Sequence, residues 1–228
     1  MFFQSARMRF FYTFKLFFFT DMLRKLSTGN KLFLFIILLL VIDQAVKIAV
    51  KLDMKLYQSI PVFGNWFFIH FIENPGAAYG MQFGGDFGKL LLSIIRIVVI
   101  VGVIWYLNRL AKNNTTPKGI LIGFALILAG AIGNMIDSAF YGLIFSESTP
   151  YAAATLFPAG GGYASFLHGK VVDMLYFPII NSTWPSWMPF VGGKEFIFFS
   201  PVFNIADSYI TIAVLYLLIF KYKYFTKK

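Results

Sequence analysis

Four apolar runs divide this chain: Leu32 to Val50, Leu90 to Leu107, Ile120 to Ile136 and Ile205 to Phe220. They are 16 to 19 residues long. A helix rises 1.5 Å per residue, so 18 residues cover roughly 27 Å, about one hydrocarbon core. Gly-rich and polar stretches separate the runs. The pattern predicts an all-α polytopic membrane protein with four transmembrane helices. The aromatic stretch NWFFIHFI, Asn65 to Ile72, predicts a small β element outside the bilayer, because it is β-prone and runs into a Pro-Gly turn. Composition agrees with this class. The chain is 58% hydrophobic and only 13% charged, against about 25% charged in soluble domains.

The net charge of +10 is a topology signal rather than a sign of nucleic-acid binding. Lys and Arg gather before the first run (Arg7, Arg9, Lys15, Arg24, Lys25, Lys31), after the second (Arg109, Lys112, Lys118) and in the tail (Lys221, Lys223, Lys227, Lys228). Asp21 is the one acid in those segments. The basic side of a membrane protein is cytoplasmic, so both termini are expected there. Lys51 to Lys89 and Ser138 to Asn204 then lie outside. The second of these, rich in Gly, Pro and aromatics, is expected to be irregular and to lie on the membrane face, where Trp is enriched.

Residues 1–31 form a basic, Phe-rich N-terminal extension to a membrane unit over 32–228. Phe3, Phe10, Phe14 and Phe17 recur at helical spacing among basic residues, as in a helix lying in the cytoplasmic interface. Met22, in MLRKLSTGNK, is an alternative start. There is no cysteine, which excludes disulfides, thiolate metal sites and cysteine nucleophiles. His70 and His168 stand far apart, so no metal or other cofactor is expected.

Polar groups in apolar segments are costly and mark function. Asp43 and Lys47, in VIDQAVKIAV, lie four apart on one helix face. They can be an ion pair fixing the helix end, or part of the chemistry. Asn134 and Asp137, in GAIGNMID, share a face of the third helix, beside Gly130 and Gly133. Asp173 follows in GKVVDM. Asn204 and Asp207 open the fourth helix in FNIADS, and Asn74 joins the same level from ENPGAAYG. Carboxylates held together without cations can share one proton, giving an acid and a base near neutral pH. Such a pair can activate water against an amide. A small ion-coupled carrier, a Ser/Lys protease using Ser208 and Lys47, and a structural protein are the rival readings. The first lacks an internal repeat. The second lacks a catalytic domain, and the third leaves the aspartates without purpose.

VIDQAVK, ENPGAAYG, GAIGNMID, GKVVDM and FNIADS, in this order on such a frame, resemble the lipoprotein signal peptidase family (signal peptidase II), membrane aspartyl proteases. The resemblance covers most of Leu32 to Phe220. It implies a catalytic pair at Asp173 and Asp207. It also implies a substrate and inhibitor pocket lined by Asn74, Gly76, Asn134, Asp137 and Asn204, and a structural polar pair at Asp43 and Lys47. The implied substrate is a diacylglyceryl-modified prolipoprotein, cut just before its lipidated cysteine. The implied location is the bacterial cytoplasmic (inner) membrane, with lipid as a partner, the cyclic peptide globomycin as an inhibitor and a monomer as the working unit. The chain departs from the family pattern in two places. Ser138 stands where an Arg often follows the aspartate, and the stretch from Tyr141 to Gly169 is long, forming an added surface feature or part of a lid. Arg96, inside the second helix, is expected to snorkel outward; turned inward, it would replace the charge missing at Ser138.

Overall fold

The computed structural model describes residues 25–76 and 85–226. The expected interfacial helix in the extension, and the end of ENPGAAYG, lie outside the described residues. Helix α1 covers Thr28–Asp53, four residues earlier in start than the apolar run, because Ser27 caps it by accepting from the Asn30 N–H at 3.2 Å. Helix α2 covers Gly85–Lys112, α3 Lys118–Ile136 and α4 Ile205–Phe220, with a short α5 at Tyr222–Thr226. Pro117 precedes α3 with extended backbone, since a proline pre-sets the chain for a helix start but donates no hydrogen bond. Three of these helices are long and apolar enough to cross a membrane, while α4 is apolar but shorter, at 16 residues.

Helix α3 is the hub, packing against α1, α2 and α4. Two of its glycines permit this. A Cβ on Gly130 would strike the Ala206 carbonyl oxygen, and one on Gly133 would meet Asp43 Oδ2 at 2.6 Å. Ile36, Leu39, Leu107, Ile120, Ala125, Leu128 and Leu217 form the core between the helices. By contrast Ile95, Val98, Val101 and Trp105 of α2 stay exposed, a face that lipid would cover.

At the other end lies a four-stranded antiparallel sheet in the order β1-β2-β3-β6, with β1 at Ser59–Phe63, β2 at Phe67–Asn74, β3 at Val171–Tyr176 and β6 at Val202–Phe203. The strand expected over Asn65 to Ile72 is present as β2, two residues further on. The stretch expected to be irregular, Ser138 to Asn204, is not: it supplies β3 and β6 and also a separate hairpin, β4 (Ile180–Thr183) with β5 (Glu195–Phe198). Strand β3 reads VVDMLY and its first four residues are all buried. A strand covered on both faces loses the alternation that reveals a strand in sequence. The protein therefore has more β structure than the small element expected.

Past Ile136, helix α3 widens into a π-turn at Asp137–Tyr141 and ends in a single turn, Gly142–Ile144. Such turns free backbone carbonyls from the helical ladder. Here the long stretch that follows returns to satisfy them: Gly169 N–H donates to the Ser138 carbonyl at 2.8 Å, and Ala164 N–H to that of Gly142 at 2.9 Å. Phe145 and Ala154 enter a second core with Val50, Met54, Phe71, Val172 and Met174. The 141–169 stretch is thus a packed part of the fold, tied at both ends.

Candidate active site

Where the helix bundle meets the sheet, six elements bring their polar residues together. Asp173 comes from β3 and is buried. Asp207 sits in the first turn of α4 and is half-buried. Its place follows from a capping box: the Asn204 side chain accepts from Asp207 N–H at 2.8 Å, while Asp207 Oδ2 accepts from Asn204 N–H at 3.3 Å. A helix N-terminus favours a negative charge.

Two carboxamides connect the aspartates. Asn204 Nδ2 donates to Asp173 Oδ1 at 2.7 Å and to Asn134 Oδ1 at 3.0 Å. Asn134 Nδ2 donates to Asp207 Oδ1 at 2.7 Å. Asn74, at the end of β2, donates to Asp173 Oδ2 at 3.2 Å and accepts from Gly76 N–H at 2.8 Å. Gly76 has φ +94°, a backbone region where side chains are strained. Burial pushes the Asp173 carboxyl up to about 7, helped by the charge of Asp207 and opposed by its bonds to Asn74 and Asn204.

The remaining helix carboxylates at this level share one cation. Lys47 Nζ lies 3.0 Å from Asp43, 2.9 Å from Asp137 and 2.9 Å from Asn134 Oδ1. Asp137 also accepts from Gln44 Nε2 at 3.0 Å and from Val172 N–H at 3.2 Å. Asp43 Oδ1 accepts from Ala206 N–H at 3.0 Å, which holds the start of α4. The pair Asp43–Lys47 is therefore a triad with Asp137. All three are fully buried, and Lys47 connects them to Asn134. No ion pair among the described residues includes Asp173 or Asp207. Two carboxylates so placed, outside any direct ion pair and bridged by neutral amides, can share one proton. Among the described residues no group of three or more His, Asp or Glu side chains is placed to hold a metal ion.

Arg96 corrects the expectation of snorkelling. Its Nη1 donates to Ser138 Oγ at 3.1 Å, and a Cβ on Gly76 would lie 3.7 Å from both of its terminal nitrogens. The guanidinium feels the charges of Asp207, Asp137 and Asp173. An inward arginine gains acceptors and carboxylate charge that the lipid side cannot offer. Arg96→Gln is accordingly expected to lower turnover by about 10- to 100-fold, the worth of a charge-assisted hydrogen bond, at an unchanged melting temperature. Full activity would show that the cation is idle.

Sequence reasoning missed Gln44 and the Lys51–Glu73 pair. Gln44 ties Asp137 to the Gly133 carbonyl and accepts from Tyr141 OH; its position inside VIDQAVK was the available signal. Lys51 is buried against Glu73, beside Ser148 Oγ at 3.0 Å. Its ammonium lies 5.0 Å from the Tyr163 ring, so it clips the 141–169 stretch onto β2 next to Asn74.

A family model described as signal peptidase (SPase) II matches residues 35–223. The chain is similar to a protein called lipoprotein signal peptidase from Porphyromonas gingivalis, 50% identical over 197 residues, 86% of this chain and 85% of that one. A protein of the same name from Amoebophilus asiaticus is 40% identical over 180 residues, 78% of this chain and 72% of that one. A solved bacterial membrane enzyme shares the fold with a TM-score of 0.57 at 22% identity, covering 87% of this chain and 93% of that one. With the family model spanning most of its length and relatives this similar, the chain belongs to the signal peptidase II family.

Proposed function

We propose that this chain is a lipoprotein signal peptidase that cleaves diacylglyceryl-modified prolipoproteins by an aspartyl mechanism. The observation that carries this reading is the pair Asp173 and Asp207, in no direct ion pair among the described residues and joined through Asn134 and Asn204. Asp207 takes a proton from water, and the oxygen attacks the carbonyl before the lipidated cysteine. Asp173, holding the proton, donates a hydrogen bond to that carbonyl. As the tetrahedral species collapses the C–N bond breaks, and the leaving amine takes the proton that Asp207 received. Asn74, Gly76, Asn134 and Asn204 orient the carboxylates and the peptide backbone, with Asp137 supporting them through Lys47. No metal or other cofactor enters the reaction. The purified protein in detergent should cut a lipidated precursor, resist chelators and be blocked by globomycin. Failure to cut a lipidated precursor, or cutting that depends on metal, would overturn the reading.

The four helices cross the inner membrane with both termini in the cytoplasm and the sheet outside. Sixteen residues in α4 cover about 24 Å, close to a thin bilayer core. Asp207 is then at the outer surface, where a peptide can reach it while its lipid stays in the bilayer. Reporter fusions after Asn114 and Gly161 should read cytoplasm and exterior respectively, and the reverse would exclude this topology. On this topology α1 begins, at Thr28, on the side opposite the aspartates. A monomeric chain starting at Met22 should therefore keep full cleavage; a folded but inactive truncation would contradict this.

The raised Asp173 carboxyl sets the pH dependence. Its folded value, about 7, exceeds the ordinary 3.8. The protonated form, and the stability it contributes, is therefore present at low pH and lost as pH rises through about 7. Activity should fall about tenfold per pH unit above that point, while the melting temperature should fall as pH rises towards about 7 and level off beyond it. Asp173→Asn should abolish the change in melting temperature between pH 6 and pH 8, values chosen about one unit either side of the shift. A flat activity profile to pH 9, about two units above it, would refute the shared proton.

A further inference from the structure

The hairpin β4–β5 lies in the sequence between the two aspartates, and the proposed chemistry leaves it without a role. Its tip carries no charge from Trp184 to Gly193. The tip is internally satisfied: Trp184 N–H donates to the Lys194 carbonyl at 2.9 Å, Gly193 N–H to that of Trp184 at 3.0 Å, and Gly192 N–H to that of Met188 at 3.0 Å. The Trp184 ring packs tilted against that of Phe196, centroids 4.7 Å apart. Despite this order, Trp187 is 79% exposed and Phe190 95%. Phe190 also has φ +69°, a conformation unfavourable for a bulky side chain. A strained turn that holds a phenyl ring and an indole away from the rest of the protein is built to place them in something.

We infer that the tip of this hairpin docks into the outer leaflet, with Trp187 and Phe190 at the boundary between headgroups and acyl chains. The occupant follows from continuity. One arm leaves β3 just after Asp173, and the other returns through β6 to the first turn of α4. On the topology proposed above, that turn sits at the outer surface of the membrane, so the hairpin springs from membrane level. Trp is enriched at that depth, and an uncharged aromatic tip suits it. The docked tip would act as an outrigger, tethering both strands that bear on the aspartates.

The native chain has no cysteine, so Phe190→Cys gives a single site for a nitroxide label in the otherwise unchanged protein. In vesicles of phosphatidylethanolamine and phosphatidylglycerol, the label should collide more with oxygen than with a water-soluble nickel chelate. A label at Asn114→Cys, in the exposed α2–α3 connection, should do the reverse. As a second probe, Trp187 left as the sole tryptophan, with Trp66, Trp105 and Trp184 changed to Phe, should lose about half its emission in brominated lipid. Nickel access at Phe190 matching that at Asn114, with unquenched Trp187, would overturn the inference. Shielding of Trp187 by a lipidated precursor peptide but not by lipid would also overturn it, making the tip a substrate clamp. Continued precursor cleavage with a water-exposed tip would remove the hairpin's role and leave the peptidase reading standing.

Discussion

Asp173→Asn and Asp207→Asn are each expected to nearly abolish cleavage of a lipidated precursor, while folding and inhibitor binding survive. General acid and general base contributions are each on the order of 10²–10⁴ in rate, and each substitution removes one partner of a shared proton. Asparagine keeps the shape, and can still engage Asn204 or Asn134, so the carboxamide bridge need not collapse. The double variant should cost little more than either single one, because residues acting as a unit are not additive. Single-turnover cleavage in detergent, with melting curves alongside, measures both points. Substantial activity in Asp173→Asn, or losses that multiply in the double variant, would be incompatible with a dyad.

The largest loss of stability is expected at Lys47. Its side chain is fully buried between Asp43 and Asp137 and also donates to Asn134. Lys47→Met leaves two carboxylates in a dry site with no cation. Breaking a buried pair in this way costs roughly 3–5 kcal/mol, a large share of a typical domain's stability. The damage should be partly reversible: adding Asp137→Asn to Lys47→Met should recover some of the loss, since one stranded charge is gone. Unfolding in detergent, followed by helix content, reads this directly. A Lys47→Met protein as stable as the parent would mean that the triad carries no net weight.

The helices were legible because lipid imposes a length and a composition on a segment: Leu32 to Val50 and Ile120 to Ile136 lie in helices that satisfy both, while Ile205 to Phe220 satisfies composition and falls short in length. Asp43, Asn134, Asp137, Asn204 and Asp207 were legible for the complementary reason: polar groups stand out in apolar runs. Asp173 could be singled out only by its short motif. Its strand, VVDMLY, is covered on both faces and shows no period. The direction of Arg96 was hidden because sequence gives a residue's depth but not its azimuth around the bundle. Helix α2 turns this one position toward Ser138 and Gly76, while its neighbours Ile95, Val98 and Val101 face outward. The role of the 141–169 stretch was hidden too, since its partners are the backbone carbonyls of a π-turn that no residue type announces.

That π-turn sets where chains of this kind can change length. It holds one residue more than an ordinary helical turn between Asp137 and Tyr141. Deleting one residue there would rotate everything beyond it by about 100°. The carbonyls that now accept from Gly169 and Ala164 would swing away. At Gly160, by contrast, a new side chain meets open space, and extra residues there would disturb nothing that touches the aspartates. Insertions and deletions should therefore accumulate around Gly160, while the count from Asn134 to Tyr141 stays fixed.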